Sequence, residues 1–152
     1  MPLVVFIMLI LAWPVAASGE DLYIANAAAG ADDGTSCANA HAASWFNTAA
    51  NWGGGAGEID PGDTAHLCGL ITTALTAQAS GTSGNVITIL WESGAELSQA
   101  FCPTTGCLNL DNLSFLTING GTNGLIQNTL NGTSGAASPG GSCSNQQNST
   151  AV

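Results

Sequence analysis

Ten carboxylates, two imidazoles and five cysteines carry nearly all the acid–base, metal-binding and redox chemistry open to this 152-residue chain, because lysine and arginine are absent. Glycoside hydrolysis needs two carboxylates held across one bond, one protonated and one ionised or activating water. On the strand columns that the apolar spacing predicts, each outward face offers at most one acid. His66, Thr88 and Asn109 form one such ladder, and Ala74, Glu96 and Thr117 another. Asp111 falls just past its strand and Glu92 in a corner, neither with an evident partner. His41 and His66 likewise have no partner that the sequence sets beside them, so no catalytic residue is assigned. The outward residues His66, Thr88, Asn109, Glu96 and Thr117 are read instead as candidate binding positions.

Hard cations take several oxygens from closely spaced turns, which makes Asp32 and Asp33, and Asp60 with Asp63, the candidates for calcium. No full ligand loop is visible, and no other cofactor is indicated. No Cys-x-x-Cys or His-x-x-x-His pair occurs, which argues against a transition-metal site. In an exported chain, five cysteines point to disulfides. Two bonds among five cysteines can be chosen fifteen ways. The turn-rich hexapeptide Cys102 to Cys107 favours a local bridge, Cys37 and Cys68 are the favoured second pair, and Cys143 is left over.

The elements that must position these groups begin after an apolar run from Leu3 to Trp13, broken by Pro14 and followed by the small residues Val15 to Ser18. This pattern predicts a secretory signal peptide over residues 1–18. A run of about 11 residues is well short of the ~20 that span a bilayer. Residues 19–64 hold a short strand at Asp21 to Ile24, an acidic turn at Gly30 to Ser36, and an Ala-rich stretch from Ala38 to Trp52 that predicts a helix. Trp45, Ala49 and Trp52 share one face of that helix, which is expected to cap the first coil.

From residue 65 to residue 131 the apolar pairs recur. Ala65 and Leu67 map onto Ile87 and Ile89 by a shift of 22, and these onto Leu108 and Leu110 by a shift of 21. Thr73 and Leu75 map in the same way onto Ala95 and Leu97, then onto Leu116 and Ile118. Such repetition is the mark of a solenoid, with glycine and asparagine corners between short parallel strands. About three coils at ~4.8 Å per step predict a stack about 14 Å tall. Residues 132–152 are a Gly-, Ser- and Asn-rich loop or tail, and the missing second cap and the odd Cys143 predict a coil series that continues beyond Val152.

Pro61 to Thr64, Ser80 to Ile89 and Ser114 to Gly120 resemble the early coils of the right-handed parallel β-helix (pectate-lyase-like) superfamily, in particular its secreted repeat proteins. The likeness covers roughly Asp21 to Asn131. It implies an all-β solenoid with an amino-terminal capping helix, three short parallel sheets, an extracellular setting, and chemistry on outward faces of middle coils. Lyases of that superfamily use a basic side chain to take a proton from a uronate while calcium neutralises the sugar carboxylate. Without lysine or arginine this segment lacks that base.

A formal charge of −10 excludes nucleic acid and anionic membranes, both of which are held by cations. What remains is a secreted or cell-surface protein whose partner is a polysaccharide or cell-surface glycan, carried on the amino-terminal coils of a binding or processing protein. The alternative is a structural or adhesin-type solenoid. Ice binding needs a regular threonine array, against which the mixed ladder of His66, Thr88 and Asn109 argues. Sequons at Asn112, Asn131 and Asn148 carry meaning only in a eukaryotic secretory route.

Overall fold

Strands dominate, as the alternation of aliphatic and polar residues requires. The computed structural model describes residues 19–129. The expected signal peptide, the tail, Cys143, and the sequons at Asn131 and Asn148 therefore lie outside the described residues. Ten short strands form: β1 (Asp21–Ala25), β2 (His41–Ala42), β3 (Thr64–Leu67), β4 (Leu70–Ile71), β5 (Leu75–Thr76), β6 (Ile87–Trp91), β7 (Glu96–Gln99), β8 (Leu108–Asn109), β9 (Leu116–Asn119) and β10 (Leu125–Asn128). They assemble into three parallel sheets in the orders β2-β1-β3-β6-β9, β10-β7-β4 and β5-β8. The result is a β-rich, solenoid-like stack. Among the described residues no helix is long and apolar enough to cross a membrane.

Period-two alternation decides which side chains face inward. Leu22 and Ile24 of β1, Ala65 and Leu67 of β3, and Ile87, Ile89 and Trp91 of β6 are buried in one wall of the core. Ile71, Leu75 and Leu97 from the other sheets complete it. Each fully buried Ile or Leu contributes about 2 kcal/mol of transfer free energy.

The register differs from the one that constant spacing predicts. Ala65 lies beside Ile89, an interval of 24, and Ile89 beside Ile118, an interval of 29. Leu108 lies not over Ile87 but beside Leu75, and Leu97 is flanked by Ile71 and Ile126. The cause is the period of two itself. Ile87 and Ile89 both point inward, so a slip of two residues keeps every side chain on its face, and the apolar pattern cannot distinguish the two registers. Corner length then decides, and the corners are unequal. One contains the Thr82–Asn85 antiparallel bridge, and another the loop closed by Cys102 and Cys107. The short strand expected at Asp21 to Ile24 runs to Ala25, pairs in parallel with β3 and adds a rung to the main sheet.

The capping helix expected over Ala38–Trp52 is not one helix. The stretch folds as a 3-10 turn at Cys37–Asn39, the strand β2, a four-residue helix α1 (Ala43–Phe46) and a second 3-10 turn at Ala49–Asn51. Its polar side chains compete for backbone groups, as Ser, Thr and Asn do wherever a helix would otherwise run on. Asn47 donates to the Ala74 carbonyl and accepts from the Thr76 amide, Asn51 donates to the Trp45 carbonyl, and Thr48 donates to the Ser44 carbonyl. The irregular segment nonetheless buries Ala40, Ala43, Phe46 and Trp52. Trp52 meets Phe46 edge-on at 4.9 Å between ring centres and donates its indole N–H to the Phe46 carbonyl at 2.6 Å. Cys37 is bridged to Cys68, with Cα atoms 5.6 Å apart, which ties this segment to the end of β3. The second bridge joins Cys102 to Cys107. These are the local bridge that the turn-rich hexapeptide favours and the second pair expected beside it.

Candidate functional site

Polar chemistry collects on the outward face of β1, β3 and β6. Alternation sends Asp21 and Tyr23 to the same side of β1 and Thr64 and His66 to the same side of β3. The parallel register then sets Asp21 beside Thr64 and Tyr23 beside His66. The Tyr23 and His66 rings stack with centroids 4.4 Å apart and planes 15° from parallel. His66 Nε2 lies 3.1 Å from Asp21 Oδ1, and Nδ1 lies 2.6 Å from Glu92 Oε1. Glu92 follows directly on β6, and its amide donates to the Leu67 carbonyl, which brings its side chain back over β3.

A neutral imidazole has one N–H, so both contacts are donated only by the imidazolium. In a chain without lysine or arginine this ring is the one basic side chain that β3 sets between the two acids. The same geometry limits the chemistry. Asp21 and Glu92 face opposite edges of His66, and the ring fills the gap between them, leaving no space there for a glycosidic oxygen and a water.

Two rows run across the strands on this face. Asp21, Thr64, Thr88 and Thr117 form one, and Tyr23, His66, Leu90 and Asn119 the other, with successive members about 4.8 Å apart. The ladders predicted from sequence are therefore corrected. Thr88 and Thr117 share a row, but His66 is not in it, and Asn109 lies on β8 beside Thr76. Glu96 sits between Leu70 and Leu125 on another sheet, with its carboxylate accepting from the Gln127 amide, so it is joined to neither Ala74 nor Thr117. The objection to ice binding rested on the mixed ladder, which does not exist. The face is nevertheless uneven, because the threonine row adjoins the Tyr23–His66 stack.

Sequence reasoning missed Asp21, Tyr23 and Glu92. The available signal was electrostatic: with two histidines against ten acids and no other cation, each imidazole is the obvious partner for a nearby carboxylate. His41 repeats the theme at the covered end of the stack. Its Nδ1 is 2.9 Å from Asp32 Oδ1, and its ring stacks on Trp45 at 4.1 Å and 12°. A Cβ on Gly34, where φ is +69°, would come within 2.7 Å of that ring, so only glycine fits there.

Three of the four calcium candidates are engaged within the protein, whereas Asp60 Oδ1 is buried without a hydrogen-bond partner among the described residues. Asp32 holds His41, and Asp33 accepts from the Thr35 hydroxyl at 2.7 Å and amide at 3.1 Å, bonds that hold its carboxyl below the usual aspartate range. Asp63 accepts from the Glu20 and Asp60 amides. Among the described residues no group of three or more His, Cys, Asp or Glu side chains converges as a metal site. No protein-family model, curated protein or solved structure matches the chain.

Proposed function

We propose that this chain forms the amino-terminal part of an exported right-handed parallel β-helix protein of the pectate-lyase-like type, and that it binds a neutral polysaccharide along the outward face of β1, β3, β6 and β9. The observation that carries the reading is the in-register row Asp21, Thr64, Thr88 and Thr117 beside the Tyr23–His66 stack. It lines up hydroxyl and carboxylate groups at a regular repeat next to an aromatic ring, which suits a polyhydroxylated chain. A neutral ligand is favoured because both imidazoles already face carboxylates and the chain has no other cationic side chain to meet an acidic sugar. Export is supported by the two disulfides together with the apolar run before residue 18.

Binding of the full chain to insoluble neutral polysaccharides, measured by depletion from solution, tests the reading. The triple variant Thr64→Val, Thr88→Val, Thr117→Val should lose binding while keeping both disulfides. Retention of full binding by that variant, or absence of binding to every neutral polysaccharide, would overturn it. A stiff adhesin-type spacer is the second reading, favoured by the Cys37–Cys68 bridge and the three histidine–carboxylate contacts that tie segments together. That alternative predicts protease resistance with no glycan binding.

A further inference from the structure

Among the described residues no basic side chain lies within ion-pair distance of the acidic turn Asp60–Asp63. Asp63 is buried, and its two carboxylate oxygens accept from the Glu20 amide at 2.7 Å and the Asp60 amide at 2.6 Å. Asp60 Oδ1 is buried with no hydrogen-bond partner among the described residues, an arrangement that costs free energy until a donor arrives. The chain has few donors to send. Lysine and arginine are absent, and His41 and His66 already face Asp32 and the Asp21–Glu92 pair. Gly19 lies directly against this turn. A Cβ there would fall 2.1 Å from the Gly62 carbonyl oxygen and 2.8 Å from its carbon, so glycine alone fits. Its nitrogen is one peptide unit, about 3.8 Å between adjacent Cα atoms, from the Glu20 amide that Asp63 holds.

We propose that signal-peptide removal between Ser18 and Gly19 creates the missing donor, and that the new Gly19 α-ammonium docks on this turn and pairs with Asp60 Oδ1 beside Asp63. The proposal rests on the export reading and not on glycan binding. Ala16 and Ser18 are the small residues third and first before the cut, the pattern that a signal peptidase takes. Hydrolysis breaks the bond between the Ser18 carbonyl carbon and the Gly19 nitrogen. The oxygen of the water goes to Ser18 as its new carboxylate, and the nitrogen takes up protons. A neutral amide with one N–H becomes a cation with three, mostly protonated at neutral pH. The Glu20 carboxylate is drawn away to the Gly57 amide, which leaves Asp60 as the open acceptor. Docking pins the start of the main sheet, because the Glu20 carbonyl already accepts from the Thr64 amide at 2.9 Å where β1 meets β3. Processing thereby completes the first rung with a charge that the precursor lacks at this place.

Mass spectrometry of the secreted protein reads where the mature chain starts, and Gly19 is expected. Because lysine is absent, an acetylating N-hydroxysuccinimide ester has the α-amine as its one amine target. The secreted protein should be acetylated at least roughly tenfold more slowly than its Asp60→Asn variant, since pairing withholds the reactive free base. Asp111→Asn, at an exposed acid elsewhere, should react like the unaltered protein. Protein acetylated while unfolded, with its disulfides intact, and then refolded should melt roughly 3–5 °C lower. Acetylation of Asp60→Asn should add nothing further, a coupling that a general loss of stability would not produce. The melting comparison on the unaltered protein decides even where that variant does not fold. A mature chain that starts elsewhere overturns the proposal through the export reading. A Gly19 start with equal acetylation rates, or with no melting change on acetylation, overturns the docking and leaves export standing.

Discussion

The two ends of the strand stack solve the same problem differently. At the amino-terminal end, residues 37–59 fold over β1 and bury Phe46, Trp52 and Ile59, with a disulfide and a histidine–carboxylate pair holding the cover down. At the other end of the described residues β9 leaves Ile118 exposed. Terminating a solenoid takes both apolar cover and satisfied edge groups, and a short irregular segment supplies both when its polar side chains are spent on its own backbone.

Substitutions at matched positions would sharpen or break that contrast. Phe46→Ala at the covered end should cost about 3–5 kcal/mol in urea unfolding, and Phe115→Ala at the open end less than about 1 kcal/mol, because only the first leaves a cavity. Equal costs would mean that the open end is packed as tightly as the covered one. Removing the Cys37–Cys68 bridge, which spans 31 residues, should cost about 3–4 kcal/mol by the loop-entropy relation, against about 2 kcal/mol for Cys102–Cys107, which spans 5. Thermal melts of the two double-alanine variants measure this, and an inverted order would show that the long bridge does not constrain the unfolded chain as that relation assumes.

Smaller effects concern the charged contacts. His66→Gln keeps a donor but removes the ring that bridges Asp21 and Glu92, and should cost about 1 kcal/mol given the exposure of both acids. A double-mutant cycle with Glu92→Gln measures the coupling. The smallest expected change is at Asp33. Thr35→Ala should raise its titration midpoint, read by carbon-detected NMR, because the hydroxyl bond is the main cause of the lowering. A depressed folded-state carboxyl favours the fold above the unfolded aspartate range and loses that contribution as pH falls through the folded value, so the variant's stability should vary less with acidification.

Strand content and parallel pairing were legible in the sequence because they depend on local alternation and repetition, the Cys102–Cys107 bridge because its cysteines lie 5 residues apart, and Cys37–Cys68 as the pair left once that local bridge is taken. Register was not. Ile87 and Ile89 are equivalent in a period-two pattern, and the interval to Leu116 includes a disulfide-closed corner whose length alternation does not encode. The helix expected over Ala38–Trp52 failed for a different reason. Alanine-rich composition favours a helix, but Asn47 is committed to β5 and to the Ala74 carbonyl, tertiary contacts that propensity does not see. The Glu92 side of the Asp21–His66–Glu92 cluster was hidden by the same register error, since it depends on β3 being offset from β6 by 24 residues, and the Asp21 side by the unread pairing of β1 with β3.

The bridge between Cys37 and Cys68 also sets an order of events. Its second thiol is made 31 residues after the first, when β1 and β3 have both been synthesised and the cover can already rest on them. The bridge can therefore close only once both strands are present in the chain, and β4 to β10 all lie on the carboxyl-terminal side of that seal.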